Sequence, residues 1–277
     1  MDTQTNGVGS LEKISTVGGN GHAMVGFSQQ YRLLDVRLLS YLMELKKKRK
    51  DDPRKFEPTR TVWNCLTRLV NEKRILVQRL GARDRYFYRA RGMRPVEKDY
   101  VPHCLSISAT LVGFTLALRQ ICNVSDCSPF TDAKLLQPWS IWKLDDIEPE
   151  VIPDNLFSIN VFGKGKLHFA LEEETGKIKD KQKHRQSMRG YLLWRKKFCL
   201  ETNGENEFGI PSFRVLFMSA DDAWKNELRE ICRGVCSKPN RFFLFSSHQQ
   251  WTLDNPTSLL RSPIWQSAWG EPQPLME

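Results

Sequence analysis

One aspartate and a run of three glutamates are the residues of this sequence whose types and spacing best suit chemistry. Asp154 lies near the start of a strand-like run, and Glu172, Glu173 and Glu174 end the next such run, with 17 residues between Asp154 and Glu172. The glycine-containing segment 162–166 separates the two runs, which predicts a β-hairpin. Because side chains alternate along a strand, we expect Glu172 and Glu174 on one face and Glu173 on the other.

This hairpin would bring Asp154 and Glu172 to neighbouring strands. Carboxylate oxygens are the ligands that Mg²⁺ and Mn²⁺ prefer, and such a cation polarises a phosphodiester and generates hydroxide for attack. The spacing therefore makes Asp154 and Glu172 candidate metal ligands in a catalytic site. The alternative interpretation is that the glutamates form only a solvated strand end.

The positive charge of the chain is concentrated in one segment. Residues 28–91 hold 18 Lys and Arg against 7 Asp and Glu, whereas the rest of the chain holds 24 against 25. A local basic excess beside a neutral remainder is typical of a phosphate-binding surface. We therefore expect double-stranded DNA as the partner of residues 28–91.

Two helices are predicted in this basic segment. Apolar residues recur at helical spacing from Leu34 to Leu45, which predicts one amphipathic helix over about residues 30–48. A second helix is expected to open at Pro58-Thr59 and to bury Val62, Leu66, Leu69 and Val70. Its outward face carries donors suited to phosphates and base edges, namely Arg60, Thr61, Trp63, Asn64, Thr67, Arg68 and Asn71.

A basic hairpin is predicted to follow these helices. Two short strand-like runs, from Arg74 to Leu80 and from Arg85 to Arg89, flank the turn 81–84. Helix, helix and hairpin in this order predict a winged helix-turn-helix over residues 28–95. The second helix would enter the major groove while Arg79, Arg83 and Arg85 contact the DNA backbone.

The rest of the chain predicts a second domain over residues 100–250 with a mixed sheet. Its expected order is αβββαβαβ, with helices on both faces of the sheet. The runs that predict these elements are His103 to Cys122 (helix), Trp139 to Leu144, Val151 to Val161 and Leu167 to Glu174 (strands), Lys181 to Phe198 (helix), Phe213 to Ser219 (strand), Asp221 to Cys236 (helix) and Arg241 to Phe245 (strand). The fold class is thus α/β (α+β).

The two ends of the chain differ in character. Residues 1–27 are rich in Gly, Ser and Thr without a sustained apolar run, which predicts a disordered leader rather than a secretion signal and favours a cytoplasmic protein. Residues 251–277 combine Trp and Pro and are expected to pack as a strap over the second domain, or else to dock a partner protein. The longest uncharged segment, 101–118, is shorter than a membrane span and predicts a buried helix rather than a membrane contact.

The seven cysteines are odd in number and scattered, which argues against a disulfide framework. Cys122, Cys127, Cys232 and Cys236 could be combined into a four-thiolate zinc site. The last two lie four residues apart on a predicted helix, whose apolar face they would join. We therefore expect them to be small core residues.

Several short motifs resemble the replication-relaxation protein family of bacterial plasmids and mobile elements, over about residues 28–265. The motifs are Arg85-Tyr86-Phe87-Tyr88-Arg89, His103, Ile152-Pro153-Asp154, Phe169-Ala170-Leu171-Glu172-x-Glu174-x-Gly176, Tyr191, Arg214-Val215-Leu216-Phe217-Met218-Ser219 and Ser262-Pro263-Ile264-Trp265. Asp154 with Glu172-x-Glu174 in an αβββαβ setting also resembles the PD-(D/E)xK restriction-endonuclease-like fold. The resemblance implies a DNA-binding protein of a mobile element with a nuclease-like second domain, acting in replication or DNA processing.

The chain departs from the nuclease pattern at one position. The pattern has a lysine two residues after the glutamate, whereas this chain has Glu174. A carboxylate there repels phosphate unless a metal bridges it or a lysine comes from the next helix. Among the nearby lysines, Lys183 is the preferred candidate, because it is expected on that helix. The catalytic set implied by the resemblance is thus Asp154, Glu172, Glu174 and Lys183, with Mg²⁺ or Mn²⁺ as cofactor.

Three functions remain open at this point. The chain could be a DNA-binding and assembly protein that works with other proteins of a mobile element, with a nuclease-like domain that has lost its chemistry. It could be an active Mg²⁺- or Mn²⁺-dependent endonuclease or nickase. It could also be a transcriptional regulator whose second domain dimerises or senses a ligand, which predicts a palindromic site and no metal requirement.

Overall fold

The chain divides into two units, Met1–Pro95 and Val96–Glu277. The computed structural model describes residues 33–43, 46–48, 56–58, 60–80, 85–91, 95–124, 135–136, 151, 153–161, 165–176, 180–196 and 212–276. The predicted leader 1–27, the turn 81–84 and the predicted strand 139–144 lie outside these residues.

In the first unit, the described residues form a three-stranded antiparallel sheet, a two-stranded pair and two helices. Its elements are β1 (Leu34–Asp35), α1 (Val36–Leu42), β2 (Lys46–Lys48), β3 (Phe56–Pro58), α2 (Arg60–Asn71), β4 (Ile75–Leu80) and β5 (Arg85–Ala90). The sheet order is β1-β5-β4, so the predicted hairpin of β4 and β5 is confirmed, and β1 adds a third strand beside β5. β2 and β3 form a separate two-stranded pair.

The prediction of one helix over about residues 30–48 is wrong in its extent. The helix begins only after Asp35, whose Oδ1 accepts a hydrogen bond from the Leu38 N–H at 2.8 Å and so caps the first turn. It ends at Leu42, and Lys46–Lys48 pairs instead as a strand with β3. On a helix, the run Lys46-Lys47-Lys48-Arg49-Lys50 would place like charges three and four residues apart, which is unfavourable.

Helix α2 has the two faces that its sequence predicts. Val62, Leu66 and Leu69 are buried together with Cys65, and they pack the helix against the rest of the first unit. The expected outward residues from Arg60 to Asn71 are exposed. Burial of about four apolar side chains, at roughly 1.5–3 kcal/mol for a fully buried large side chain, is what holds this short helix in place.

The second unit is a five-stranded mixed sheet with helices on both faces. Its elements are α3 (Val101–Val124), β6 (Leu135–Leu136), β7 (Asn155–Val161), β8 (Gly165–Glu174), α4 (Lys181–Trp194), β9 (Arg214–Ser219), α5 (Asp222–Val235), β10 (Phe243–Ser247) and α6 (Ser258–Arg261). The strand order is β10-β9-β8-β7-β6. The neighbours β6, β7 and β8 pair antiparallel, whereas β8, β9 and β10 pair parallel, so the predicted mixed sheet is confirmed.

Each face of this sheet buries its own apolar core. On one face, α4 and α5 pack through Met188, Tyr191 and Leu228 against strand residues such as Val215 and Phe217. On the other face, Phe114 of α3 lies 4.9 Å from Phe157 of β7, and Phe157 lies 5.2 Å from Phe169 of β8, measured between ring centroids. Both sides of β8 are therefore covered, which sets the surroundings of the glutamates at its end.

Helix α3 is the one element of the described residues that is long and apolar enough to cross a membrane. Most of it, however, is buried within the unit, with 61% of its apolar window inside the fold. Gly113 lies where the side chain of Trp251 packs, since a Cβ there would stand 2.5 Å from the Trp251 ring. These contacts agree with the predicted buried helix.

The C-terminal segment after Gln250 packs on the second unit and contains the short helix α6. Trp265 is fully buried, and its indole N–H donates to the Leu259 carbonyl at 2.8 Å. Arg229 and Arg233 of α5 donate to backbone carbonyls at residues 267, 268 and 270. The Trp265 indole and the carbonyls of residues 267, 268 and 270 therefore have partners inside the second unit.

Candidate functional site

The carboxylates of Asp154, Glu172 and Glu174, together named the carboxylate site, lie at one end of the β7–β8 pair. Asn155 of β7 pairs with Leu171 of β8, so Asp154 stands opposite Glu172 in the same register. Asp154 Oδ2 accepts from the Glu173 backbone N–H at 2.8 Å. The strand register alone therefore brings together two residues that have 17 others between them in the sequence.

His103, at the start of α3, holds the second oxygen of Asp154. Its Nε2 lies 2.9 Å from Asp154 Oδ1, and both side chains are partly buried. The hydrogen bond to Asp154 raises the pKa of His103, against the opposing effect of burial. The imidazolium form is thus favoured beside Asp154, and both oxygens of that carboxylate have protein donors.

The partly buried Glu172 is hydrogen-bonded to the buried Tyr191. The Tyr191 hydroxyl, on α4, donates to Glu172 Oε1. Burial, and then the charge of Asp154, raise the pKa of Glu172 well above its usual range. Burial and the Glu172 charge likewise raise the pKa of Tyr191, so the phenol stays protonated as the donor. Glu172 is thereby fixed on the face of the sheet that α4 covers.

Glu174 shares that face, as the strand alternation predicts. Its Oε1 lies 3.3 Å from Nδ1 of the buried His184 of α4, and its side chain is 17% exposed. Burial, followed by repulsion from Asp154, raises the pKa of Glu174 from 4.5 to about 7. A carboxyl group that changes charge near neutral pH is suited to proton transfer or to binding a cation.

Lys183 lies on the first turn of α4, with its side chain exposed. Its positive charge lowers the pKa of both Glu172 and Glu174, although less than burial and Asp154 raise them. Within the described residues, Lys183 forms no ion pair with either glutamate. The helix around it is fixed by Asp180, whose Oδ1 accepts from the N–H groups of Gln182 and Lys183.

Glu173 points to the opposite face, also as predicted, but into a polar cluster that the sequence did not reveal. Its Oε1 accepts from the Ser106 hydroxyl at 2.6 Å, its Oε2 accepts from the Thr110 hydroxyl at 2.9 Å, and His248 Nε2 contacts Oε1. The Glu173 side chain is 0% exposed. This cluster ties α3, β8 and the segment after β10 together behind the carboxylate site.

The carboxylate site has the donor atoms of a hard-cation site, but its oxygens are bound to protein donors. Among the described residues, no three His, Cys, Asp or Glu side chains are arranged to hold a metal ion. Both Asp154 oxygens, Glu172 Oε1 and Glu174 Oε1 contact hydrogen-bonding or charged neighbours instead. The oxygen atoms of these carboxylates are still the ligand type that Mg²⁺ or Mn²⁺ prefers, because a divalent cation would offset the repulsion between them.

The cysteines behave as core residues. Cys232 and Cys236 are buried at the end of α5, with their sulfurs 3.9 Å apart, as predicted for residues that join an apolar helix face. The hydrogen bond from Cys232 lowers the pKa of Cys236 to about 7. The other half of the suggested zinc site, Cys127 and the side chain of Cys122, lies outside the described residues.

In the first unit, the candidate nucleic-acid surface is the exposed face of α2. Trp63 is 42% exposed, which is unusual for so large an apolar ring. The Thr67 hydroxyl donates to the Trp63 carbonyl at 2.9 Å, and Arg68 Nε lies 3.6 Å from Glu72. The expected face members that are exposed are Arg60, Thr61, Trp63, Asn64, Thr67 and Arg68. Arg83 and the side chains of Arg79 and Arg85 lie outside the described residues.

The structure therefore brings Asp154, Glu172 and Glu174 together and places Lys183 within electrostatic reach of the glutamates. Sequence reasoning missed the roles of His103, His184 and Tyr191 as their neighbours. For His184 and Tyr191 the sequence did hold a signal, because they lie seven positions apart on one predicted helix and therefore share a face of it. No such local signal exists for His103.

Comparison with known proteins adds no relative from which a role could be transferred. No protein-family model matches the chain, and neither a curated protein nor a solved structure matches it. The resemblance to the replication-relaxation family thus stays a prediction that depends on the motifs quoted above.

Proposed function

We propose that this chain is a DNA-binding protein of a mobile element, which acts in the cytoplasm in replication or DNA processing with other proteins of that element. Its first unit would be a winged helix that binds duplex DNA, and its second unit a restriction-endonuclease-like domain. The observation that carries the proposal is the exposed face of α2, where cationic, amide and aromatic side chains lie together above a buried apolar face.

The arrangement of the first unit supports the winged-helix proposal. A three-stranded sheet in the order β1-β5-β4 lies beside two helices, and the β4–β5 hairpin follows directly after α2. A helix that precedes such a hairpin is the one that enters the major groove in helix-turn-helix proteins. Arg60, Asn64 and Arg68 follow one another at intervals of four residues, so they form one row along the exposed face.

These three side chains suit both parts of DNA recognition. Arginine binds guanine O6 and N7 or a phosphate with two donors, and asparagine binds adenine N6 and N7. The row formed by Arg60, Asn64 and Arg68 spans about 12 Å along the helix, at 1.5 Å per residue. A helix with its side chains is about 10–12 Å across, which fits the major groove, about 12 Å wide.

The DNA-binding proposal is tested by the salt dependence of affinity. Full-length protein is titrated onto a fluorescent duplex between about 50 and 200 mM salt, where several phosphate contacts produce a steep loss of affinity. The double variant Arg60→Gln/Arg68→Gln should bind more weakly with a shallower slope. Lys238→Gln/Arg261→Gln, which removes two exposed cations of the second unit, is the charge-matched control. A flat salt response of the wild type removes the proposal.

A second candidate function, metal-dependent DNA cleavage by the second unit, is favoured by the carboxylate site. Asp154 and Glu172, with Glu174 beside them, are the residues that would hold Mg²⁺ or Mn²⁺, and burial, followed by repulsion from Asp154, raises the pKa of both glutamates. When bound, such a cation polarises the phosphodiester and activates water. The mixed order of β6 to β10, with α3 and α4 on opposite faces, supports the restriction-endonuclease-like proposal.

The protein's own groups would prepare this site. The Glu173 N–H and His103 fix both oxygens of Asp154, and Tyr191 fixes Glu172, which limits the movement of the candidate ligands. Lys183 would supply the positive charge that the nuclease pattern normally takes from a lysine at the position of Glu174. Because Lys183 is exposed and unpaired with the glutamates, it is free to approach a scissile phosphate.

Cleavage is tested with supercoiled plasmid DNA and Mg²⁺ or Mn²⁺. The active-nuclease candidate requires nicking or linearisation that Asp154→Asn and Glu172→Gln abolish while duplex affinity is retained. If the wild type binds duplex but converts no plasmid with either cation, the second unit is a non-catalytic platform and only the DNA-binding function remains.

A further inference from the structure

A second cationic surface lies on α4, in a part of the chain whose charges almost cancel. From Lys181 to Lys196 there are six Lys or Arg residues and no Asp or Glu. The net charge outside residues 28–91 does not reveal this segment, because acidic residues elsewhere in the second unit offset its positive charge. Charge is therefore locally segregated in the second unit as well.

Two of these cations lie on the outer face of α4, and a third continues their row past the end of the helix. At 100° per residue, Arg185 and Arg189 lie about 40° apart around the axis of α4, and Lys196 follows the last residue of α4, Trp194, by two positions. Arg189 and Lys196 are exposed, and Arg185 is partly exposed. The row, named here the cationic row, extends over about 16 Å, at 1.5 Å per residue. Gln182 and Gln186 add exposed amides to the same side of the helix.

The opposite face of α4 is buried and is the face that holds the carboxylate site. His184 contacts Glu174, and Tyr191 donates to Glu172, while Met188 and Trp194 complete the buried side. One helix therefore carries the inner partners of the carboxylates and the outer row of cations. Lys183 lies between these two sides, near enough to Glu172 and Glu174 to lower their pKa.

The cationic row has no acidic counterpart within the described residues. Of the cations from Lys181 to Lys196, the one ion pair formed there is that of Lys181 with Glu227 of α5, at 2.6 Å. Arg195 lies over the Phe242 ring. Arg185 and Arg189, four residues apart, place like charges on adjacent turns, which destabilises a helix unless an anion lies between them. The N-terminal amides of α4 are no alternative anion site, because Asp180 already caps them.

We infer that the cationic row is a second nucleic-acid surface, which binds the phosphate backbone of DNA. This inference rests on the proposed DNA-binding function and adds a second DNA contact, made by the second unit. Each strand of B-form DNA carries a phosphate about every 3.4 Å along the axis, so a row of about 16 Å spans several phosphates. Exposed arginine, lysine and glutamine side chains without interspersed acids suit that polyanion.

The test compares charge-matched triple variants of the full chain. Arg185→Gln/Arg189→Gln/Lys196→Gln keeps good helix formers and removes the cationic row. Lys238→Gln/Arg241→Gln/Arg261→Gln removes three exposed cations elsewhere on the same unit. Loss of up to three phosphate contacts should lower the slope of log affinity against log salt by up to about 2.7 and weaken binding at least about tenfold at 50 mM salt. The control should stay within about twofold of the wild type.

Three outcomes separate this inference from the proposed function. If neither triple variant changes the slope while Arg60→Gln/Arg68→Gln does, the cationic row is only a solvated face and the inference fails alone. If both triple variants weaken binding equally, the loss comes from the lower net charge of the protein and not from the cationic row, and the inference fails as well. A wild-type chain that binds no duplex removes the proposed function and the inference together.

A second measurement uses the unmodified chain, so that it does not depend on how the variants fold. Lysines are acetylated with an amine-reactive ester in the presence and absence of duplex, and the labelled peptides are quantified by mass spectrometry. Lys196 should be protected at least severalfold by the duplex, while the exposed Lys238 should label equally in both samples. Equal labelling of Lys196 with and without duplex overturns the inference.

Discussion

Neutralising Glu174 should make the second unit more stable at alkaline pH. Burial, and then the charge of Asp154, raise the pKa of Glu174 from 4.5 to about 7. The folded protein therefore binds this proton more tightly than the unfolded chain does. The resulting contribution to the free energy of unfolding is fully present below about pH 4.5 and is lost as the pH rises through about 7.

The size of this effect follows from the pKa itself. Each tenfold difference in proton affinity corresponds to about 1.4 kcal/mol, so a rise from 4.5 to about 7 amounts to about 3 kcal/mol. The raised pKa values of Glu172 and His103 act in the same direction. Glu174→Gln, which cannot ionise, should match the wild type near pH 5 and exceed its stability by about 2–3 kcal/mol at pH 8.

The assay is urea unfolding of both proteins between pH 5 and pH 8, followed by tryptophan fluorescence. Trp194, Trp224 and Trp265 are buried in the second unit, so the signal reports chiefly on its core. Glu271→Gln, which changes an exposed carboxylate of the same unit, is the control and should leave the pH profile unchanged. Parallel profiles of the wild type and Glu174→Gln across this range would refute the reasoning.

Three further changes test the packing around the site by thermal or chemical unfolding. Thr110→Val removes a hydroxyl donor from the buried Glu173 and should cost about 1–3 kcal/mol; an unchanged midpoint would mean that water or another donor replaces it. Gly113→Ala should cost about 1–3 kcal/mol, because the new Cβ would lie 2.5 Å from the Trp251 ring, and a neutral result would show that the ring moves aside. Asp221→Ala removes the 2.7 Å hydrogen bond that caps α5 and should lower the free energy of unfolding by about 0.5–2 kcal/mol. Unchanged stability would mean that this hydrogen bond does not stabilise the helix.

The parts of this fold that the sequence predicted well are those with a strong local period. The apolar positions of α2 and the runs that form β7, β8, β9 and β10 carry the 3.6- and 2-residue periods of helix and strand, and these elements appear close to their expected bounds. The first helix was overestimated because its apolar spacing continues past Leu42, while the Asp35 cap and the pairing of Lys46–Lys48 with β3 limit it.

The neighbours of the carboxylates could not be predicted in the same way. His103 and Asp154 are 51 residues apart, Ser106 and Glu173 are 67 apart, and His248 lies 75 residues from Glu173. No periodicity links residues at such distances. They meet because α3 and the segment after β10 pack on the same face of the sheet.

By itself, the sequence determined the local facts about this protein: which face of α2 carries polar donors, that β7 and β8 form a hairpin, and that Glu172 and Glu174 share a side of their strand. The tertiary structure decided the chemistry of those residues. Burial of β8 on both faces, and then the charge of Asp154, raise the pKa of Glu172 and Glu174, while His103 from the distant helix α3 holds Asp154 beside them. The physical reason is that alternation and helical spacing are properties of neighbouring backbone, whereas desolvation and charge–charge repulsion depend on which segments pack together.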